Sequence, residues 1–449
     1  MAMQIVRFTD QDYEGRIQAL ISRSSLFDQD IESRTKEIIQ LVREKGDEAV
    51  IELTARFDKA RLTPQQLAVT KAELFNSCIQ VPESVQSAID EARKNIIRFA
   101  RRGIPRNWFI KNTHGAYVGE KFDPLQRVGI YIPGGSASLI STALMTVTLA
   151  KEAGCPQIVV CTPCDSNGMV NPTLLYAISS CGATEIYRIG GAQAIAAMAL
   201  GTQTIKPVLK IFGPGNAYVV AAKRLLYGYV GVDLLPGPSE LLVLADDSAN
   251  PKFIVADLLA QAEHGSGHER VWLLTPSGQL LKQVGAQIQK AIKHVPRSTL
   301  LEKVLESNTW LVQTRSLAEA IALANRVAPE HCEIMTRNPN KVANEIKTAG
   351  AIFLGPWSPT ALGDYVAGPN HTLPTGGAGR YLSGLSIEQF FRKTSIINYS
   401  KRALQNALPS LTILAELEGL QNHALSAQMR FSKYPSQLRR PNKRKATRS

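Results

Sequence analysis

The sequence is short of several things, and each shortage excludes something. No stretch of eighteen apolar residues occurs in its 449 positions, so no transmembrane helix of ordinary length is expected. The opening MAMQIVRFTDQDYEG lacks the apolar centre and small-residue cleavage site of a secretory signal, which predicts a cytoplasmic chain. The six cysteines are scattered, a usage that suits reduced thiols and excludes a disulfide-dense scaffold. Cys161-Thr-Pro-Cys164 has the spacing of a redox motif or half a zinc site, but it closes a strand-like QIVV run and reads as structural thiols. No G-x-G-x-x-G run is present, so the usual dinucleotide fingerprint is missing. Histidine is also scarce, at seven.

What is present is ordinary for a folded protein, with 44% hydrophobic and 20% charged residues. The length predicts two or more domains. A net charge of +13 invites a nucleic-acid reading. Much of that excess, however, sits in the last stretch, RRPNKRKATRS, as Arg439, Arg440, Lys443, Arg444, Lys445 and Arg448. With no apolar period it reads as a solvated, disordered tail. Nucleic acid is therefore not an expected partner, and neither is a membrane.

Apolar spacing is helical over residues 31–55 and again over 85–100. The texture then changes to strand–helix alternation. VGIYIPGG, QIVVCTP, EIYRIGG, LKIFGPG and GVDLL read as strands separated by helices, and a second series runs from ELLVLAD to AIFLG. Strict alternation implies parallel sheets with right-handed crossovers. The fold class expected is α/β, with two successive Rossmann-like parallel-sheet domains between helical N- and C-terminal segments. The boundaries expected are a helical segment at 1–125 packing with the second α/β domain, a first α/β domain at 126–238, a second at 239–380, a helical segment at 381–438, and the tail at 439–449. Ligands of open α/β sheets bind outside the carboxyl ends of strands. The glycine turns GIYIPGG, RIGGAQ and IFGPGN are thus expected to line one crevice, and GPGN opening onto a helix offers a phosphate site.

Two clusters carry possible chemistry. In APEHCE, Glu330 and His331 stand side by side after a proline that ends a helical run. They read either as a polar helix end or as two proton-transfer groups at one reacting carbon. In QAEHG, the preceding helix has Asn250 as its cap, Pro251 in its first turn and Gly265 as its stop. Gln261 and His264, three apart, read as a polar face or as two metal donors. Asp364, in the glycine-containing ALGDYVAGPNH, and His423, in ELEGLQNHALSAQMR, would complete a set of two nitrogens and two oxygens, suited to zinc but not selective for it.

Taken in order, VGIYIPGG, GGAQAIAA, GPGNAYV, GPSELLVLAD, QAEHG, APEHCEI, GDYVAGPNHTLPTGG and EGLQNH resemble the histidinol dehydrogenase family, over about three-quarters of the chain. The resemblance implies an NAD- and zinc-dependent alcohol and aldehyde dehydrogenase. It would oxidise L-histidinol through L-histidinal to L-histidine in histidine biosynthesis, as an intertwined homodimer with one zinc per subunit. It implies zinc ligation by Gln261, His264, Asp364 and His423, residues that also face the substrate. It implies an acid–base pair in Glu330 and His331, further substrate contacts from Ser239, His371 and Glu418, and NAD contacts from Tyr131, Gln193 and Asn216. His423 and Glu418 would reach a neighbouring subunit's site.

Some positions depart from the family pattern: Ser138-Leu139-Ile140 where Tyr-Pro is usual, FARRGIP at 99–105, Pro236 before GPSE, and SGHER after QAEHG. They leave open a relative acting on another small alcohol, such as a sulfonated propanediol. Glu418 argues against that reading, because a carboxylate suits an ammonium group and repels a sulfonate. A catalytically inactive binding protein is the third possibility, and it has no need of the metal and acid–base set.

Overall fold

A computed structural model describes residues 3–21, 28–134, 139–294 and 298–431. The basic tail, Gly135 and Ser138 lie outside the described residues. The chain falls into two compact units, one of residues 1–104 and 124–391, the other of 105–123 and 392–449.

The first unit holds two parallel sheets. One lies in the spatial order Glu185–Arg188, Gln157–Thr162, Arg127–Tyr131, Lys210–Phe212, Gly231–Val232. Counted along the chain, that order is 3-2-1-4-5, with the reversal between Arg127–Tyr131 and Lys210–Phe212. The second sheet runs Gln4–Arg7, Thr309–Gln313, Arg270–Thr275, Glu240–Ala245, His331–Met335, Ala351–Leu354. Its last five strands repeat the 3-2-1-4-5 order, with the reversal between Glu240–Ala245 and His331–Met335.

Both sheets are covered on both faces, which is why their strands read as near-continuous apolar runs. Val128, Ile130, Ile158 and Val160 face one core, while Tyr131, Val159, Cys161 and Ile211 face another. In the second sheet Leu241, Val243, Val271 and Leu273 face one side, and Leu242, Leu244, Trp272 and Leu274 the other. Helix starts follow local side-chain caps. Asn171 and Asn250 each accept from backbone N–H groups of the first turn, and each is followed by a proline that needs no donor there.

The expected helix over 31–55 is two helices, Gln29–Lys45 and Asp47–Phe57. Gly46 adopts φ +58 between them, a left-handed backbone that periodic apolar spacing does not reveal. The amino-terminal segment also holds a strand, Gln4–Arg7, on the edge of the second sheet.

Among its described residues, the second unit combines a small sheet with two helices. Strands Trp108–Lys111, Tyr117–Pro124 and Phe391–Asn398 form a three-stranded sheet ordered with Tyr117–Pro124 in the middle. Helices Lys401–Leu417 and Gln421–Gln428 follow. β-Branched Thr394, Ile396 and Ile397 favour the extended form in the last strand. Many apolar side chains of this unit are exposed, among them Trp108, Phe109, Ile110, Ile397, Ile413 and Leu417.

Candidate active site

The carboxyl ends of the first sheet open onto a cavity of about 1230 Å³. Gly134, Gly191 and Asn216 line it, so the three glycine turns do share one crevice. Tyr131 and Gln193 line it as well. Tyr131 is buried at the end of its strand, and its hydroxyl accepts from Gly191 N–H at 3.0 Å. Gln193 is only 1% exposed and its Oε1 has no hydrogen-bond partner. A buried amide oxygen without a partner is an acceptor whose capacity the fold itself leaves unused.

Asn216 is differently occupied: its Oδ1 caps helix Ala217–Leu226, accepting from Tyr218 and Val219 N–H at 3.1 and 3.2 Å. Those two donors are not free for a phosphate. The turn itself is pinned from below. Lys223, wholly buried, pairs with Asp233 and donates to Gly213 O at 2.9 Å, while Gly213 N–H donates to Asp233 Oδ2 at 2.8 Å. Gly213 has φ +108, and a Cβ there would meet Tyr131 O at 2.1 Å. Only glycine lets these two strand ends close at the reversal point.

The second sheet carries its polar residues at the other end. Helix Leu317–Val327 stops at Ala328, a left-handed residue at φ 52. Pro329 and Glu330 follow, and His331 is the first residue of its strand. Glu330 Oε2 accepts from Glu240 N–H at 2.8 Å. His331 Nδ1 lies 2.9 Å from Glu240 O, and a carbonyl can only accept. The imidazole therefore keeps its proton on Nδ1, leaving Nε2 as the basic nitrogen. Glu330 Oε2 stands 3.5 Å from Nδ1. Burial opposes charge on this ring, but Glu330 and Asp364 override it and raise its pKa to about 9.

Asp364, on helix Thr360–Tyr365, places Oδ1 4.0 Å from His331 Nε2 and 3.9 Å from His371 Nδ1. Both gaps are beyond direct hydrogen bonding. His371 is pushed down to about 4 by burial and by the neighbouring His331 and His264 rings.

The family model described as Histidinol dehydrogenase matches residues 21–431. The chain belongs to the histidinol dehydrogenase family. It is 44% identical over 399 residues to a histidinol dehydrogenase of Synechococcus sp., covering 89% of this chain and 92% of that one. With a histidinol dehydrogenase of Methanothermobacter thermautotrophicus it shares 42% identity over 427 residues, or 95% and 99% of the two. The crystal structure of histidinol dehydrogenase from Elizabethkingia anophelis superposes with a TM-score of 0.90 at 37% identity, covering 96% of this chain and 98% of that one.

Against that family background, the four expected metal donors divide. Gln261 is buried on helix Pro251–Ala262, and His264 is exposed just past its end. The helix stops at Ala262 with Glu263 as cap, two residues before the expected stop; Gly265, at φ +109, turns the chain afterwards. His264 Nδ1 lies 3.1 Å from Gln261 O, which again fixes the tautomer and leaves Nε2 free to ligate. Asp364 belongs to the same unit. His423 and Glu418 belong to the second unit and are exposed. Among the described residues, no three His, Cys, Asp or Glu side chains of one chain gather as a metal site. Gln261, His264 and Asp364 are donor types that zinc accepts, and His423 would supply the second imidazole of the expected set.

Ser239 immediately precedes strand Glu240–Ala245, and its carbonyl accepts from Arg270 N–H at 3.0 Å. Glu240 itself was missed by the sequence reading. It is 1% exposed, and its backbone holds both Glu330 and His331. Its side chain accepts from Gly376 N–H at 3.1 Å and faces Arg270 at 3.6 Å. Burial is the main reason its carboxyl rises to about 7. A glutamate at the start of an apolar strand was the available signal.

Proposed function

We propose that this chain oxidises L-histidinol through L-histidinal to L-histidine, with Glu330 and His331 as its proton-transfer residues. The observation that carries the reading is the locked His331 tautomer, with Nδ1 held by Glu240 O and Glu330 Oε2 beside it. His331 Nε2 takes the alcohol proton as the carbon is oxidised. Glu330, anchored by Glu240 N–H, takes a proton from the water that adds to the aldehyde carbon. Tyr131, Gln193 and Asn216 would hold NAD along the first-sheet cavity, where it would supply the hydride acceptor for each of the two oxidations.

Gln261, His264 and Asp364 would hold zinc together with His423 of the partner subunit, and the metal would supply a Lewis-acidic grip on substrate nitrogen. Ser239, His371 and Glu418 of the partner subunit orient the substrate, the last by pairing with its ammonium group. The exposed apolar side chains of the second unit, Ile413 and Leu417 among them, suit a homodimer interface, since contiguous apolar surface marks association. A cytoplasmic location accords with a small-molecule pathway enzyme, and no helix among the described residues is long and apolar enough to cross a membrane.

The test is turnover with L-histidinol and NAD, counting NADH against histidine. Two NADH per histidine is the expected outcome; NADH formation without histidine would refute the assignment. His264→Asn and His423→Asn should each lose bound zinc by elemental analysis while the circular dichroism spectrum is kept. Stoichiometric zinc in both variants would remove these ligands from the proposal.

A further inference from the structure

Three carboxylates, Glu37, Asp58 and Asp165, line the first-sheet cavity without a part in the scheme above, and Asp58 is the one with a buried, unpartnered oxygen. Asp58 follows helix Asp47–Phe57 and lines the cavity with Tyr131, Gln193 and Asn216. Among the described residues no side chain or backbone group donates a hydrogen bond to it, and no cation pairs with it. Its Oδ2 is shut off from water without a partner. Leaving a carboxylate oxygen so is costly, and natural proteins seldom do it without a use.

The backbone there is also unusual. Among the described residues only Lys59 and Ala328 are non-glycine positions with positive φ, at 62 and 52. Ala328 leads into Glu330; Lys59 follows Asp58 directly. Strain of this kind gathers at functional sites.

Position then narrows the ligand. A methyl built on Gly190 would sit 3.2 Å from Asp58 Oδ2 and 2.7 Å from Pro163 Cβ. Asp58 therefore lies over the carboxyl ends of the second and third strands of the first sheet. Asn216, after the fourth strand, lies across the reversal point. In doubly wound sheets the half built on the first three strands takes the adenosine half of a dinucleotide, with an acid on the ribose 2′-hydroxyl. Here the loop after the second strand keeps its own acid, Asp165, in a turn, its Oδ1 accepting from Asn167 and Met169 N–H at 2.9 and 2.8 Å, while Asp58 enters from outside the sheet without such partners.

We propose that Asp58 accepts hydrogen bonds from the adenosine ribose of NAD, and that its charge excludes the 2′-phosphate of NADP. The inference rests on the cavity being the NAD site. Burial pushes the Asp58 carboxyl up to about 6, so it is still mainly ionised at neutral pH. Arg34 and Arg56 line the same cavity and would favour a phosphate once the carboxylate is gone.

The test is calorimetric binding of NAD and NADP, and of AMP and 2′-deoxy-AMP, to the full chain. The wild type should bind NAD at least tenfold more tightly than NADP, and AMP at least tenfold more tightly than 2′-deoxy-AMP. Asp58→Asn should weaken NAD about tenfold and bring the NAD to NADP ratio close to one. Asp58→Ser should do the same, should the asparagine variant fold poorly. Equal binding of AMP and 2′-deoxy-AMP to the wild type needs no variant and would overturn the assignment. So would an unchanged NAD to NADP ratio in both variants. Gln193→Ala separates the two levels. If it weakens NAD while Asp58→Asn is silent, Asp58 alone is misassigned; if neither matters, the cavity is not the cofactor site.

Discussion

The two parallel sheets of the first unit repeat one strand order and use opposite ends of it. The first opens its cavity at the carboxyl ends, where glycine turns let backbone close on a ligand. The second gathers Ser239, Glu240, Glu330 and His331 at its amino ends. The carboxyl-end rule for open sheets follows from helix N-termini and spread loops at a reversal point, conditions the first sheet meets. At the second reversal point a left-handed Ala328 turns the chain so that Glu330 meets the backbone of Glu240 before the strand begins. Repeated topology thus fixes where two strands diverge, and the polar residues at their ends decide which mouth is used.

The sharpest break of this comparison is at His331. His331→Asn should slow the first hydride transfer by about 10²–10⁴ and leave NAD binding to the first sheet unchanged. Glu330→Gln should still consume histidinol but accumulate aldehyde. Supplying histidinal directly should help the His331 variant more. Equal losses on alcohol and aldehyde in both variants would end this division of labour. The pH profile follows the same logic. A base acts when unprotonated, and the His331 pKa is raised to about 9, so single-turnover oxidation of the alcohol should climb from neutrality to about pH 9. That slope should vanish in His331→Asn.

The complementary break is under the first sheet. Lys223→Met strands Asp233 in the interior, which should cost about 3–5 kcal/mol in denaturant unfolding. NAD affinity should fall as the Gly213 turn loosens, with the aldehyde step at saturating NAD little changed. The double variant Lys223→Met, Asp233→Leu should recover stability but not NAD affinity. A variant whose stability and NAD affinity both match wild type would show that the pair does not shape the turn.

A smaller effect is expected behind the second site. Glu333, two residues past His331 on the same strand face, is wholly buried, and apart from a neighbouring carboxyl no donor reaches its carboxylate oxygens. Its partner is the carboxyl of Asp257, on the helix that carries Gln261. Burial first, then this neighbouring acid, holds the Glu333 carboxyl well above the usual range. A folded-state pKa above the unfolded one means the fold binds the proton more tightly, so stability should fall as pH rises from the ordinary carboxylate range into alkaline solution. Glu333→Gln should flatten that fall, measured by urea unfolding at about pH 5, 7 and 9. The smallest effect is reserved for residues 439–449, whose removal should leave turnover unchanged at moderate salt.

Much of the fold was legible because alternation and capping are local. QIVVCTP, EIYRIGG and ELLVLAD became buried strands, and Asn250-Pro251 starts a helix as its chemistry requires. What failed was set by backbone angles or by distant pairing. Gly46 divides a helix that apolar spacing runs straight through. Strand Phe391–Asn398, with the neighbours Arg392 and Lys393 both exposed, is defined by its partners rather than its pattern. Within the site, the neighbours Glu330 and His331 could be seen in the chain, and so could Gln261 with His264. Their meeting with Glu240, some 90 residues earlier, is a register between parallel strands, which no local pattern encodes.

Among the described residues strand Gln4–Arg7 pairs only with Thr309–Gln313, so the whole first sheet lies between these partners along the chain. During synthesis that leading segment must wait for about 300 residues, roughly 15–60 s at ordinary ribosomal rates. In that interval the first sheet can form alone, while the second lacks its edge and strand His331–Met335. Pulse proteolysis of stalled nascent chains should find residues 126–232 protected well before residues 4–7. Assembly order therefore runs first sheet first, second sheet last.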